Sequence, residues 1–325
     1  VSSGNSLMTL KGSDMVLNGS LSSGLSLTTV QVCSGVSMQL GGSGKDAGSF
    51  VLDRDELSRV SSTGLVLESP SGSITVLSVS TKDMLMVSDY VLLNASVSGS
   101  VLFSEPSAFV PSVKAYAGKG IVVNGSVSSV GSLLLEGAWS GEDVLNSTYA
   151  IDVIGGASST SSYLSSVQGS VELEVGGKGR VRVGSPGVWS AGNGITLGGP
   201  VDVSGSGVFT LDSDSDLDGV GTLSLPATSN VSVTSVSVTG LSVIAADVDV
   251  MCHVRAGSAS VTLQSTNSSG MQVGSSVSGG FSVTDVELDR IETAGVLTLG
   301  GALTFSVAVD GFTYSGGASE VRVLA

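Results

Sequence analysis

FVLDRDELSRVSSTGLVL, from Phe50 to Leu67, returns without a gap as FSVTDVELDRIETAGVLT, from Phe281 to Thr298. Glu56 and Leu57 match Glu287 and Leu288, Arg59 matches Arg290, Val60 matches Ile291 and Gly64 matches Gly295, at an offset of 231 (287 − 56). A second pair of copies is GKGIVVNGSVSSVGSLLL from Gly118 and GNGITLGGPVDVSGSGVFTL from Gly192. Fixed motifs returning at unequal distances suit a solenoid whose coils accept insertions.

Around these copies, apolar residues alternate with small polar ones, as in LSLTTVQV (25–32), GSITVLSVS (72–80) and VSVTSVSVTGLSV (231–243). Period two over short runs bounded by Gly and Ser clusters is the strand signal. The one helical pattern is the short DRDELSRV segment. Such strands could build immunoglobulin-like sandwiches or a stacked parallel coil. Sandwiches place a Trp in a conventional core, whereas Trp139 and Trp189 stand in Gly/Ser-rich text, and the repetition favours the stack.

Of 325 residues, 41% are hydrophobic but only 13% charged and 4% aromatic, with 46 glycines and 64 serines. Recurrent Val and Leu separate this chain from disordered Ser/Gly-rich sequences. A solenoid core grows along one direction, so one elongated domain over residues 1–325 is expected. A net charge of −15 provides no basic face for a phosphate backbone, which argues against nucleic-acid partners. No apolar run reaches the length of a membrane helix, so insertion is not expected.

The pattern ELxRxxxxGLxL (56–67) followed by SGSITVLSVS (71–80), with GNGITLGGPVDVSGSGVFTLDSDSD (192–216), resembles the repeats of filamentous haemagglutinin-like secreted adhesins. The likeness covers about residues 50–80, 118–136, 192–214 and 281–300. It implies an all-β fold, a right-handed parallel β-helix of about 20 residues per coil, with aliphatic ladders inside and Gly and Ser at the bends. The family's N-terminal secretion module is not visible.

Six of the eight asparagines head an Asn-x-Ser/Thr triplet: Asn18, Asn94, Asn124, Asn146, Asn230 and Asn267. Chance in so Ser-rich a chain gives roughly two, and the excess points to N-glycosylation; turn chemistry is the alternative, since Asn and Gly both suit tight bends. The near-copies LNGS (Leu17–Ser20), LNAS (Leu93–Ser96) and VNGS (Val123–Ser126) suggest equivalent coil corners for Asn18, Asn94 and Asn124.

Asp212-Ser213-Asp214-Ser215-Asp216-Leu217-Asp218-Gly219 is the densest run of acids, and DSDLDG reproduces the start of a calcium loop. In such loops alternate Asp oxygens converge around a bend that Gly permits, and a Glu at the twelfth position completes the site. Leu225 stands at that position. Asp214, Asp216 and Asp218 are therefore Ca2+ candidates, with a solvated acidic corner as the other reading. In VELEVGGKGRVRV, Glu172 and Glu174 are expected to face Arg180 and Arg182 across a GGKG bend and fix strand register.

His253, the single histidine, follows Cys252. Parity places Cys252 and Val254 inward and His253 and Arg255 outward, so a Cys–His nucleophile is not formed. Cys33 reads as outward or at a corner. It lies about ten coils from Cys252 and beyond disulfide reach, which leaves an interchain link or an unpaired thiol.

The expected function is structural or adhesive: a secreted, glycosylated β-solenoid in a fibre or cell-surface filament. Its partners would be neighbouring segments or subunits, N-linked glycans, and carbohydrate or a cell surface. The strand-like stretches VSSGNSLMTL and SEVRVLA at the two ends read as cuts from a longer array. Two other classes compete. A polysaccharide-binding or -cleaving β-helix needs acids paired at catalytic separation, and away from 212–218 acids are scattered. An ice-binding face needs a Thr ladder, and the 21 threonines form none.

Overall fold

A computed structural model describes residues 1–42, 48–95, 98–137, 150–153, 163–175, 179–184, 186–275 and 280–325. Strands make up 54% and helix 5%, and the strand pairs with defined register are parallel. Immunoglobulin-type sandwiches pair their strands antiparallel, so the alternation belongs to a parallel β-helix. Contacts divide the chain into two compact units: residues 1–159 with 174–179, and residues 160–173 with 180–325.

In the first unit, one ladder stacks Met8–Gly12, Leu27–Val32, Val60–Ser69, Val87–Ala95, Ser112–Ala117 and Leu133–Gly137. A second stacks Ser37–Gly41, Ile74–Leu77, Val101–Phe103, Ile121–Val123 and Ala150–Val153. Ser107–Phe109 and Val127–Ser129 belong to a third. In the second unit the ladders run from Ile195–Gly198 to Asp247–Val250, from Arg180–Val183 to Ile291–Thr293, and from Tyr163–Ser166 to Glu320–Leu324.

Register explains the aliphatic alternation. Val30, Leu67, Leu93, Ala115 and Leu135 are successive partners and all are buried. Each Leu or Val so placed contributes about 1.5–3 kcal/mol relative to exposure. Alternate residues such as Leu92 and Lys114 point outward and are only half-buried. The second unit does the same with Leu211, Val243, Leu263 and Leu299. Trp189, expected in loose Gly/Ser text, is fully buried in that row between Leu164 and Leu211, its ring edge-on to Phe209 with centroids 4.9 Å apart.

Among the described residues several coils have 20 residues: Met8 pairs with Thr28, Val113 with Leu133 and Val181 with Val201. Insertions lengthen others. Two long ones run from Leu27 to Gly64 and from Val254 to Ile291, and each carries one copy of the opening motif as a one-turn helix: α1, Arg54–Leu57, and α2, Asp285–Asp289. Both start with a capping box, Asp53 with Glu56 and Thr284 with Glu287. A further helical turn, the 3-10 segment Thr81–Met84, starts where Asp83 Oδ2 accepts from the Ser80 amide and hydroxyl at 2.7 and 2.9 Å; the Ser-x-x-Asp spacing there is a capping signal that periodicity alone does not show.

The motif's polar residues hold the neighbouring coil. Glu56 Oε1 accepts from the Leu17 amide at 2.8 Å while the Arg59 guanidinium donates to the Leu17 carbonyl. In the second copy Glu287 Oε1 accepts from the Val250 amide at 3.2 Å and Arg290 donates to the Val250 carbonyl. Two side chains thus stand in for the strand that would otherwise satisfy these backbone groups. The outer glycines of the other repeat coincide too: Gly120 has φ +102° and Gly194 φ +109°, a region closed to most L-residues. A Cβ on Gly194 would lie 2.8 Å from the Thr222 carbonyl oxygen.

Candidate functional site

The acidic run closes a corner between Gly207–Asp212 and Thr222–Leu225. Asp214, Asp216 and Asp218 each offer a carboxylate oxygen, and the three lie within 4.8 Å of one another. Leu217 and Gly219 adopt positive φ, +59° and +82°, which turns the backbone back so that alternate carboxylates converge. The neck is tight: a Cβ on Gly221 would sit 1.7 Å from the Ser213 carbonyl oxygen. The preceding coil abuts the corner through the Ser215 amide, which donates to Ala191 O at 3.0 Å.

A solvated corner describes only part of this cluster. Asp216 and Asp218 are exposed, but Asp214 is completely buried. Its Oδ2 accepts from the Gly219 amide at 3.1 Å and from the Thr266 hydroxyl, two coils further along the stack. Its Oδ1 is buried with no hydrogen-bond partner, as are Asp212 Oδ1 and Ser213 Oγ. Burial pushes the carboxyl of Asp214 above the usual Asp range, with Asp216 and Asp218 adding to the effect and the Thr266 and Gly219 hydrogen bonds opposing it. Asp212 is raised for the same leading reason, partly offset by the Asp214 amide. Leu225, at the twelfth position of the calcium-type spacing, lies buried in the strand and offers no oxygen from its side chain.

The sequons fall at several different places. Asn18 is exposed in the bend after Leu17, and Asn230 is exposed at the head of Asn230–Val233. Asn124 is half-buried just past Ile121–Val123, and its amide bonds to Phe103 O at 2.9 Å. Asn94 is half-buried within Val87–Ala95, level with Glu68 and Tyr116 in the stack. Asn18, Asn94 and Asn124 therefore do not share one corner: coils of unequal length carry similar words to different sheets. Asn267 is half-buried, and its Oδ1 accepts from the Ser269 amide at 2.9 Å, closing a local turn. Asn146 lies outside the described residues.

The charged strands pair differently from expectation. Val171–Val175 and Arg180–Val183 belong to different sheets, so Glu172 and Glu174 are not the cross-strand partners of the arginines. Arg182 stands beside Asp202 in register, and Arg180 Nη1 donates to Asp202 Oδ2 at 2.7 Å. Glu172 instead accepts from Ser170 Oγ at 2.9 Å. At Cys252 and His253 parity holds: Cys252 and Val254 are buried, His253 and Arg255 exposed. Burial pushes the Cys252 thiol up, which suppresses thiolate chemistry. His253 Nδ1 and Arg255 Nε both meet Glu292, at 3.0 and 3.3 Å, in an exposed group. Cys33 is half-buried just past Leu27–Val32 and, like Cys252, is a free thiol.

Comparison of the chain with family models, with curated proteins and with solved structures finds no match. Among the described residues no helix is long and apolar enough to cross a membrane.

Proposed function

We propose that this chain is a structural or adhesive element of an extracellular fibre or cell-surface filament, a parallel β-helix carrying N-linked glycans. The observation that carries the reading is the surplus of sequons together with their placement. Five of the six are among the described residues, and none of these asparagines is buried. The polar pairs shared by the two internal copies, Glu56 with Arg59 and Glu287 with Arg290, are occupied in joining coil to coil, which suits a self-supporting scaffold. The resemblance to filamentous haemagglutinin-like repeats supports the same reading, with neighbouring segments or subunits and a carbohydrate or cell surface as partners.

The test is secretion from a eukaryotic host followed by glycosidase digestion and peptide mass spectrometry, together with immunogold electron microscopy of cells that make the protein natively. Glycan at Asn18 and Asn230 and label on surface filaments are expected. Unmodified asparagines, or label confined to the cell interior, would overturn the proposal.

A further inference from the structure

We propose that the corner Asp214–Gly219 is a Ca2+ site, built from the carboxylates of Asp214, Asp216 and Asp218. Convergence of three acids is common on protein surfaces and carries little alone. The deciding observation is Asp214. It is completely buried, one of its oxygens has no hydrogen-bond partner, and its carboxylate lies within 4.8 Å of ligand oxygens of two further acids. A buried carboxylate either takes up a proton or has its charge compensated by a partner or a metal ion, and among the described residues no Arg or Lys is paired with Asp214. The donors offered to it are the neutral Gly219 amide and Thr266 hydroxyl. Both use the other oxygen, so the unpartnered Oδ1 is left for a cation.

The donor set selects the ion. All three side-chain ligands are carboxylate oxygens, the choice of hard cations over zinc or copper. They come from alternate residues of an irregular turn, and two of them are exposed to water that can fill further positions. Ca2+ accepts such flexible six- to eight-fold oxygen coordination, whereas Mg2+ demands a near-regular octahedron and gives up its waters reluctantly. The spacing Asp-x-Asp-x-Asp-Gly supplies the first half of a calcium loop, and buried Leu225 removes the bidentate acid of the second half. Affinity therefore belongs to the weak range of extracellular modules, a Kd of about 10⁻⁴–10⁻³ M. Because Ser215 bonds to Ala191 in the coil before, Ser213 to Ile244 in the coil after, and Thr266 reaches Asp214 from the coil beyond that, the ion would brace a corner joined to four successive coils.

Calorimetric titration of CaCl2 into the whole chain is expected to saturate one site in that range, with MgCl2 weaker by about tenfold or more. Asp216→Asn with Asp218→Asn alters only exposed side chains and keeps the fold. It is expected to weaken Ca2+ binding by about tenfold or more and to abolish the rise in melting temperature that Ca2+ gives the parent chain. Asp89→Asn, an equally exposed acid on Val87–Ala95, is expected to leave both unchanged. Absence of binding heat and of any melting shift at about 10 mM Ca2+ would overturn the site. So would an undiminished response in the double variant.

Discussion

Replacing Glu56 by Ala tests whether the repeat motif works as a clamp. Glu56 is buried; its Oε1 takes the Leu17 amide at 2.8 Å and its Oε2 the Asp53 amide at 3.2 Å. Leu17 is itself buried, so truncation leaves an amide with neither protein nor water to accept from it. A hydrogen bond to a charged group contributes about 1.5–3 kcal/mol, and loss of half a capping box adds about 0.5–2 kcal/mol. Local opening around Leu17 should become easier by about 2–5 kcal/mol, and its amide protection should fall by at least about 30-fold. Hydrogen exchange read by mass spectrometry on peptides spanning Leu17 and Val250 gives the local answer without requiring two-state unfolding. Glu56→Gln, which keeps an acceptor, should cost about 1 kcal/mol. The second copy is an internal control: Glu287→Ala should expose Val250 and leave Leu17 protected. Leu17 protection within about threefold of the parent in the Ala variant would refute the clamp.

Leu93→Ala, between Leu67 and Ala115 in the inner row, should cost about 2–5 kcal/mol, while its outward neighbour Leu92→Ala should cost less than about 1 kcal/mol; comparable losses in chemical denaturation would break the inward–outward assignment. Asp247 is raised above the ordinary Asp range, first by burial and then by Glu287 and Asp249, against hydrogen bonds from the Ser282 and Val248 amides. With a raised folded-state pKa, its stabilising contribution is complete below the unfolded value of about 3.9 and disappears as pH rises through the folded value. Asp247→Asn, which keeps an acceptor for the Ser282 amide, should therefore melt higher than the parent at neutral pH, with the difference shrinking toward about pH 4; parallel melting curves across that window would exclude this role.

Strand pattern and inner face were legible because each is written locally. Alternation at Val30 and Val32 or at Val248 and Val250 identifies the buried side without knowledge of the partner strand, and the offset between Glu56 and Glu287 announces two equivalent inserts. What could not be read is which residues become neighbours across coils. That depends on the number of residues in each turn, and the turns vary because insertions leave the stacking surface unchanged. Hence Arg180 meets Asp202 and not Glu172, and the similar words around Asn18, Asn94 and Asn124 reach different sheets. The partners of the motif, Leu17 and Val250, lie 39 and 37 residues before the Glu that binds them, beyond any local pattern. In the acidic run the spacing of Asp214, Asp216 and Asp218 was visible. The burial of Asp214 was not, since it arises from Thr266 and from the closure of the chain at Gly221.

The unequal turns have a mechanical corollary. Within each unit a turn is attached mainly to the turns on either side, so tension would strip layers in succession, each releasing its own slack. A 20-residue turn such as Met8 to Thr28 would free about 70 Å of extended chain, and the turn from Leu27 to Gly64 about 125 Å. Pulled in a force spectrometer, the molecule would write its insertions as a ruler of long and short steps.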